Sequence, residues 1–183
     1  LLCEEKLREW DKPEGLDWTI IRPATVCGYA PRLRLDLTVN ILTIHALLNK
    51  KIRVFGGKQL RPNIYIVDMV RAYLALLDAD REKVSGAIFN AGYQNDSVEN
   101  IAFRVRDVLA DPDLEIEYVP NDDDRSYHVN SDRIEREIGF RAEHTIEDAI
   151  DSIKRAFDRG DIEDGLNNEF YYNIKRMQNI HLV

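Results

Sequence analysis

Arginines are the residues in this chain best suited to binding chemistry. Arg34 lies in "PRLRLDL", Arg61 just ahead of "NIYIV", and Arg125 in "DDDRSY". A guanidinium is a planar fork of donors and makes paired, charge-assisted bonds to phosphate. Each of the three also has a plain reading. Arg61 can be a solvated edge arginine, Arg125 a loop arginine paired to Asp122, Asp123 and Asp124, and Arg34 a surface arginine. The other reactive types form no constellation. His45, His128, His144 and His181 are scattered, and no pair has ligand spacing on one element. Cys3 and Cys27 have neither metal-type spacing nor partners for a disulfide framework. "NDDD" lacks the alternating ligands and the glycine of a calcium loop, so it reads as a wet acidic loop. Gly56-Gly57 is a turn; a phosphate-cradling loop needs more glycine and a following helix. No metal site is expected.

The elements that must position these arginines alternate. "LDWTIIRP" is a β-branched run after Gly15 and reads as a buried strand ending near Arg22; "ATVCGYAPRLR" reads as loop. From Asp36, a candidate N-cap, Leu37, Ile41, Ile44 and Leu48 mark one helix face. "KIRVFGG" and "NIYIV" are short strands, and Asp68 is read as the cap of a helix through Val70, Tyr73, Leu74 and Leu77. "GAIFNAG" is a compact strand. Ser97 caps a helix carrying Ile101, Val105, Val108 and Leu109. "LEIEYVP" alternates as a strand with one wet face. Ser131 starts a short helix, and Thr145 with Asp148 is a capping box with a short acid, ahead of Ile146, Ile150, Ile153 and Phe157. A tail follows that is expected to pack Phe170, Tyr171 and Tyr172. Alternating strands and helices give an α/β class. The opening "LLCEEKLREW" already carries an apolar stripe at Cys3, Leu7 and Trp10, as if the chain enters within a helix.

At 183 residues and 44% hydrophobic the chain can bury a core. A net charge of −8, with no basic stripe, argues against nucleic acid as a partner. No apolar run approaches a membrane span. Two cysteines outside any framework suit a reducing, cytoplasmic setting.

Four stretches in order carry a resemblance. "TIIRPATVCGYAPR" resembles the strand and loop RPxxVYGP of the extended short-chain dehydrogenase/reductases, in particular their NAD-dependent nucleotide-sugar epimerases and dehydratases. "IRVFGGKQLRPNIYIVDMVRAYLALL", "IFNAGYQNDSVENIA" and "SYHVNSDRIEREIGFRAEHTIEDAI" resemble the segments that follow in that family, across nearly the whole chain. The resemblance implies the C-terminal part of a Rossmann-type fold with a small α/β substrate-binding subdomain. Residues 1–30 would end the dinucleotide-binding domain. Residues 31–183 would be mostly the substrate subdomain, with 68–92 returning to the Rossmann sheet.

The same resemblance implies chemistry. A Tyr-x-x-x-Lys pair on a helix works with NAD or NADP, and a Glu commonly follows the Lys by four; Glu4 fits that place. The Lys would then directly precede Leu1, and the glycine-rich dinucleotide loop would lie far upstream. No catalytic acid or base is therefore assigned here, and the chain alone is expected to be inactive. Arg22, Pro23, Ala24, Thr25 and Val26 resemble the loop beside the nicotinamide. Arg61 and Arg125 resemble residues that reach the diphosphate of a nucleoside diphosphate sugar. Arg34 could close over the nucleotide. Asn40 resembles a phosphate contact, its plain alternative being an exposed helix Asn. Val54 and Phe55 could pack on the base, or simply in the core. Cys27 stands where the family has Tyr and reads as packing. A homodimer is implied. Two other classes stay open: a non-catalytic nucleotide-sugar-binding or scaffold module, and a reductase of the same superfamily.

Overall fold

A computed structural model of the chain describes residues 2–121 and 125–180. In chain order it runs α1 (Leu2–Glu14), β1 (Thr19–Pro23), β2 (Thr25–Cys27), α2 (Thr38–Asn49), β3 (Lys51–Phe55), β4 (Leu60–Tyr65), α3 (Ile66–Asp78), α4 (Arg81–Val84) and β5 (Ala87–Ala91). Then come β6 (Gln94–Ser97), α5 (Val98–Leu109), β7 (Glu115–Val119), α6 (Asp132–Ile138), α7 (Ile146–Asp158), a 3₁₀ turn (Glu169–Tyr171) and α8 (Asn173–Asn179). The strands form three small sheets. β1 and β5 pair in parallel, with Ile20 opposite Ile88. β2 pairs β4 in parallel, with Thr25 opposite Asn63, and β6 closes that sheet antiparallel, with Arg61 opposite Asp96. β3 and β7 pair in parallel. The α/β class and the parallel pairings agree with the sequence reading.

Local chemistry explains most boundaries. Ser97 accepts the Asn100 N–H and caps α5. Thr145 and Asp148 complete a reciprocal capping box on α7. Two expectations need correction, Asp36 as a cap and residues 25–27 as loop. Asp36 does not cap α2: Leu37 holds that place, and the Asp36 carboxylate takes two bonds from Arg34. Ser131 precedes α6, but its hydroxyl accepts from the Gly92 N–H instead of the helix. Residues 25–27, read as loop, form β2. Gln94–Ser97 also forms a strand; four polar residues show no hydrophobic alternation, so only the register with β4 reveals it.

Three apolar clusters fill the interior. Helices α2, α5 and α7 meet over β3 through Ile52, Val54, Ile101, Val105 and Ile150. Phe89, Ile64, Met69, Ala72 and Ile134 join the β1–β5 pair to α3 and α6. Leu33, Leu35, Ile44, Ile153 and Tyr171 anchor the loop after β2 to the C-terminal tail. Of the tail aromatics Tyr171 is buried, Tyr172 partly buried and Phe170 exposed. Some apolar surface stays open. Among the described residues β1 pairs only with β5. Val67, Val70, Leu74 and Leu77 line the outward face of α3, and the α1 stripe leaves Cys3 and Trp10 exposed.

One glycine is required by contact. Gly28 has φ +101°, and a Cβ there would lie 2.3 Å and 2.5 Å from two Tyr65 ring atoms. The Tyr65 ring is itself held edge-on to His144 at 5.7 Å, so it cannot simply swing away. Gly28→Ala is expected to cost about 2–4 kcal/mol in urea unfolding, combining backbone strain and overpacking. Gly86→Ala, with φ +69° and open space around it, should cost only about 1 kcal/mol. Equal losses would mean that contact with Tyr65 is not what fixes Gly28.

Candidate functional site

At the C-terminal ends of β1 and β5 the chain turns directly into the second sheet. The Ala24 N–H donates to the Ala91 carbonyl at 2.7 Å, and one residue later β2 begins. Such strand ends are where open α/β sheets collect ligands. A cavity of about 390 Å³ opens here. Pro23, Ala24, Thr25 and Val26 form one wall, and Arg34 and Asn40 come from the loop and helix that follow. The structure thus brings six of the expected site residues together.

Arg22 lies next to this wall but is engaged elsewhere. Its guanidinium makes a two-pronged contact to Glu4, at 2.8 and 2.5 Å, and so ties α1 to the end of β1. That contact holds the Glu4 carboxyl below its usual range. Asn40 is buried and not an exposed helix residue: its Oδ1 accepts from the Gly28 N–H and its Nδ2 donates to the Arg34 carbonyl. It braces the loop carrying Arg34. The Arg34 guanidinium binds both oxygens of Asp36.

Arg61 and Arg125 meet in a second place. Arg61 donates to the Arg125 carbonyl, and its guanidinium lies 5.9 Å from the Tyr127 ring centroid. The Ser126 Oγ accepts the Leu60 N–H and ties the 125–127 segment to the start of β4. Asp122, Asp123 and Asp124, the expected partners of Arg125, lie outside the described residues. Asp96, opposite Arg61 in register, spends its carboxylate on Arg104, Asn100 and the Ser97 N–H. Thr25 pairs with Asn63, so Arg61 lies two residues, or about 7 Å, back along β4 from that pair, and it does not line the cavity.

Val54 and Phe55 lie on β3 in a different sheet. Val54 is fully buried in the α2–α5–α7 core, while Phe55 is half exposed. Cys27 is buried and burial pushes its thiol up to about 12, which leaves it inert as a nucleophile. Among the described residues no group of His, Cys, Asp and Glu could hold a metal ion.

The family model for the NAD dependent epimerase/dehydratase family matches residues 1–92, half of the chain. The chain belongs to this family. The dTDP-glucose 4,6-dehydratase of Escherichia coli is 27% identical over 155 residues, covering 79% of this chain and 42% of the relative. The Shigella flexneri enzyme of the same name is 28% identical over 162 residues. Among solved structures, UDP-glucose 4-epimerase of Thermotoga maritima with UDP-glucose superposes with a TM-score of 0.73 at 22% identity, covering 86% of this chain and 51% of that one. UDP-glucuronic acid 4-epimerase of Bacillus cereus, with UDP-glucuronic acid and NAD, gives 0.73 at 19% identity, covering 85% and 50%. These structures show the shared Rossmann-type fold. The chain spans about half the length of the relatives it matches.

For a member of this family the spacing Tyr-x-x-x-Lys matters, and one instance was passed over in the sequence: Tyr171 and Lys175. The structure removes it from consideration. Tyr171 is buried in the core, and the Lys175 ammonium sits 4.2 Å from the Tyr172 ring centroid. Sequence reading also missed Arg32, which lines the cavity beside Arg34. The signal was available, since "PRLRLDL" carries both arginines in one short loop.

Asp68 is neither a helix cap nor placed to transfer a proton to a ligand. It lies in the first turn of α3, fully buried. Its carboxylate accepts the Glu143 and His144 N–H groups at 2.9 and 2.8 Å, bonds the His144 Nδ1 at 3.0 Å and pairs with Arg71 at 2.6 Å. Burial alone would raise its pKa, but these donors together outweigh it and hold the carboxyl below the usual range. A folded-state value below the unfolded one stabilises the fold above about pH 4 and fades as pH falls through the folded value. Asp68→Asn is therefore expected to lose about 3 kcal/mol at pH 7. The gap to wild type should narrow as pH falls below the ordinary aspartate range and through the lowered folded-state value. Urea melts at several pH values check this, and a gap that stays constant would contradict the charged role of Asp68.

Proposed function

We propose that this chain is the substrate-binding portion of an NAD- or NADP-dependent enzyme that epimerises or dehydrates a nucleoside diphosphate sugar. Membership of the family supports the reaction class. The observation that supports the substrate class is Arg61, which meets Arg125 and is held over Tyr127 at the start of β4. A diphosphate is a dianion at neutral pH, and an arginine fork is the side chain that matches it in charge and shape. In this reading Arg61 and Arg125 receive the diphosphate. Pro23, Ala24, Thr25 and Val26 face the nicotinamide; their small and apolar side chains leave a flat wall that fits a ring. When bound, the nicotinamide supplies hydride exchange with a sugar carbon. The chain's own part is to seat the sugar against that wall and to exclude water.

The same reading assigns residues 1–30 to the end of the dinucleotide-binding domain and 31–183 mostly to the substrate subdomain, with 68–92 returning to the first. The Arg22–Glu4 contact supports it, because it fixes α1 against the strand end where the cofactor would lie. The open edge of β1 and the apolar face of α3 are surfaces that such a domain would cover. A homodimer belongs to the reading, with the exposed Trp10 of α1 as support, and so does a cytoplasmic setting, which suits two free thiols.

In the intact protein, Arg61→Ala is expected to weaken binding of the nucleotide sugar by about 1.5–3 kcal/mol, the scale of a hydrogen bond to a charged group. Calorimetric titration with UDP- and dTDP-hexoses measures it. Unchanged affinity would remove Arg61 from the site.

A further inference from the structure

The two arginines that line the 390 Å³ cavity are in opposite electrostatic states. Arg34 is neutralised: its Nε and Nη2 both bind the Asp36 carboxylate, at 3.0 and 2.9 Å. Arg32 is held just as firmly, but by uncharged groups. Its Nη2 donates to the side-chain oxygen of Asn173 at 2.9 Å, and its guanidinium lies 5.6 Å from the centroid of the Phe170 ring. Among the described residues no carboxylate pairs with it. An amide acceptor and an aromatic face fix the direction of a guanidinium without cancelling its charge. What results is a cation ordered in advance at the mouth of a largely apolar cleft, with donor positions left over.

The groups that hold Arg32 come from far along the chain. Phe170 belongs to the 3₁₀ turn and Asn173 opens α8. That segment is itself locked to the arginine loop, since the Leu35 N–H donates to the Tyr171 carbonyl at 2.9 Å and Tyr171 is buried with Leu33 and Leu35. A strap of C-terminal residues thus sets where one loop arginine points.

We propose that Arg32 is an anion-binding residue of this cleft, with Phe170 and Asn173 as its positioning residues. The inference rests on the nucleotide-sugar reading and extends it. Two groups of such a ligand carry the required charge: the diphosphate, and the carboxylate of an acidic sugar. Pre-ordering lowers the entropy lost when either binds.

The test is calorimetric titration of the intact protein with UDP, UDP-glucose and UDP-glucuronate, and with the corresponding dTDP compounds. Arg32→Gln is expected to weaken binding about tenfold or more. If Arg32 reads the diphosphate, every ligand loses affinity; if it reads a sugar carboxylate, only the glucuronates do. Asn173→Ala and Phe170→Ala should weaken the same ligands by a smaller factor, about threefold, raising KM while kcat and the melting temperature stay near wild type. Arg32→Lys, which keeps the charge and loses the fork, should recover part of the loss. Wild-type binding that Arg32→Gln leaves within about twofold for every ligand overturns this inference alone. Wild-type protein that binds none of the six overturns the nucleotide-sugar reading and the role of Arg32 with it.

Discussion

The buried carboxylate of Asp68 is the constraint on which the site depends. Taking an ionised carboxylate out of water costs several kcal/mol unless donors surround it. Here the donors come from three residues in two places: Arg71 on the same helix, and Glu143 and His144 on the loop before α7, through both N–H groups and the His144 ring. Satisfying one charge therefore fixes that loop against α3. It also fixes the His144 ring, against which Tyr65 rests edge-on. Tyr65 in turn occupies the space that any side chain at position 28 would need. The Gly28 N–H reaches Asn40, and Asn40 reaches the Arg34 carbonyl. One continuous run of polar and steric contacts leads from a buried acid to the arginine loop.

That run crosses the seam between two sheets. β1 and β5 lead directly into β2 and β6, and backbone bonds from the Ala24 N–H to the Ala91 carbonyl and from the Tyr93 N–H to the Asn63 carbonyl span the passage. A seam of this kind leaves a gap, since neither sheet can extend its ladder across the other. The cavity lies in it, walled on one side by residues 23–26. The site is a consequence of topology before it is one of side chains.

Much of this was legible in the sequence, and the reasons are local. Thr145 with Asp148, and Ser97 ahead of an apolar run, are short-range signals whose partners lie within three residues, and both act as read. The strand "GAIFNAG" was bounded by its glycines. Most of the failures involve partners far away in sequence; Asp36 is the exception, its carboxylate taken by Arg34 two residues before it. Asp68 resembles an N-cap by composition, yet its partners are 75 and 76 residues on. Ser131 looks like a cap, but the Gly92 N–H claims its hydroxyl. Asn40 looks like an exposed helix residue because the loop that buries it leaves no mark on helix periodicity. The strands β2 and β6 are three and four residues long and take their form from pairing with β4, not from their own pattern. The arginines were picked out by type, and their company was decided by the fold.

Charge poses the last question: how does a chain of net charge −8 offer a site for an anion? Distance and pairing answer it. Exposed acids more than about 8 Å away are largely screened at physiological salt, so the overall charge weighs little inside the cleft. What counts is whether each nearby cation keeps its charge. Most surface arginines here do not: Arg53 is paired with Glu117, Arg133 with Glu137, Arg159 with Asp161. Arg104, between Asp96 and Glu147, is doubly claimed. At the cleft the arrangement changes. Arg32 is steadied by an amide and an aromatic ring. Aromatic faces orient a guanidinium while leaving its charge for a ligand. An acidic protein can in this way keep positive charge in one place, by surrounding it with partners that hold it and do not neutralise it.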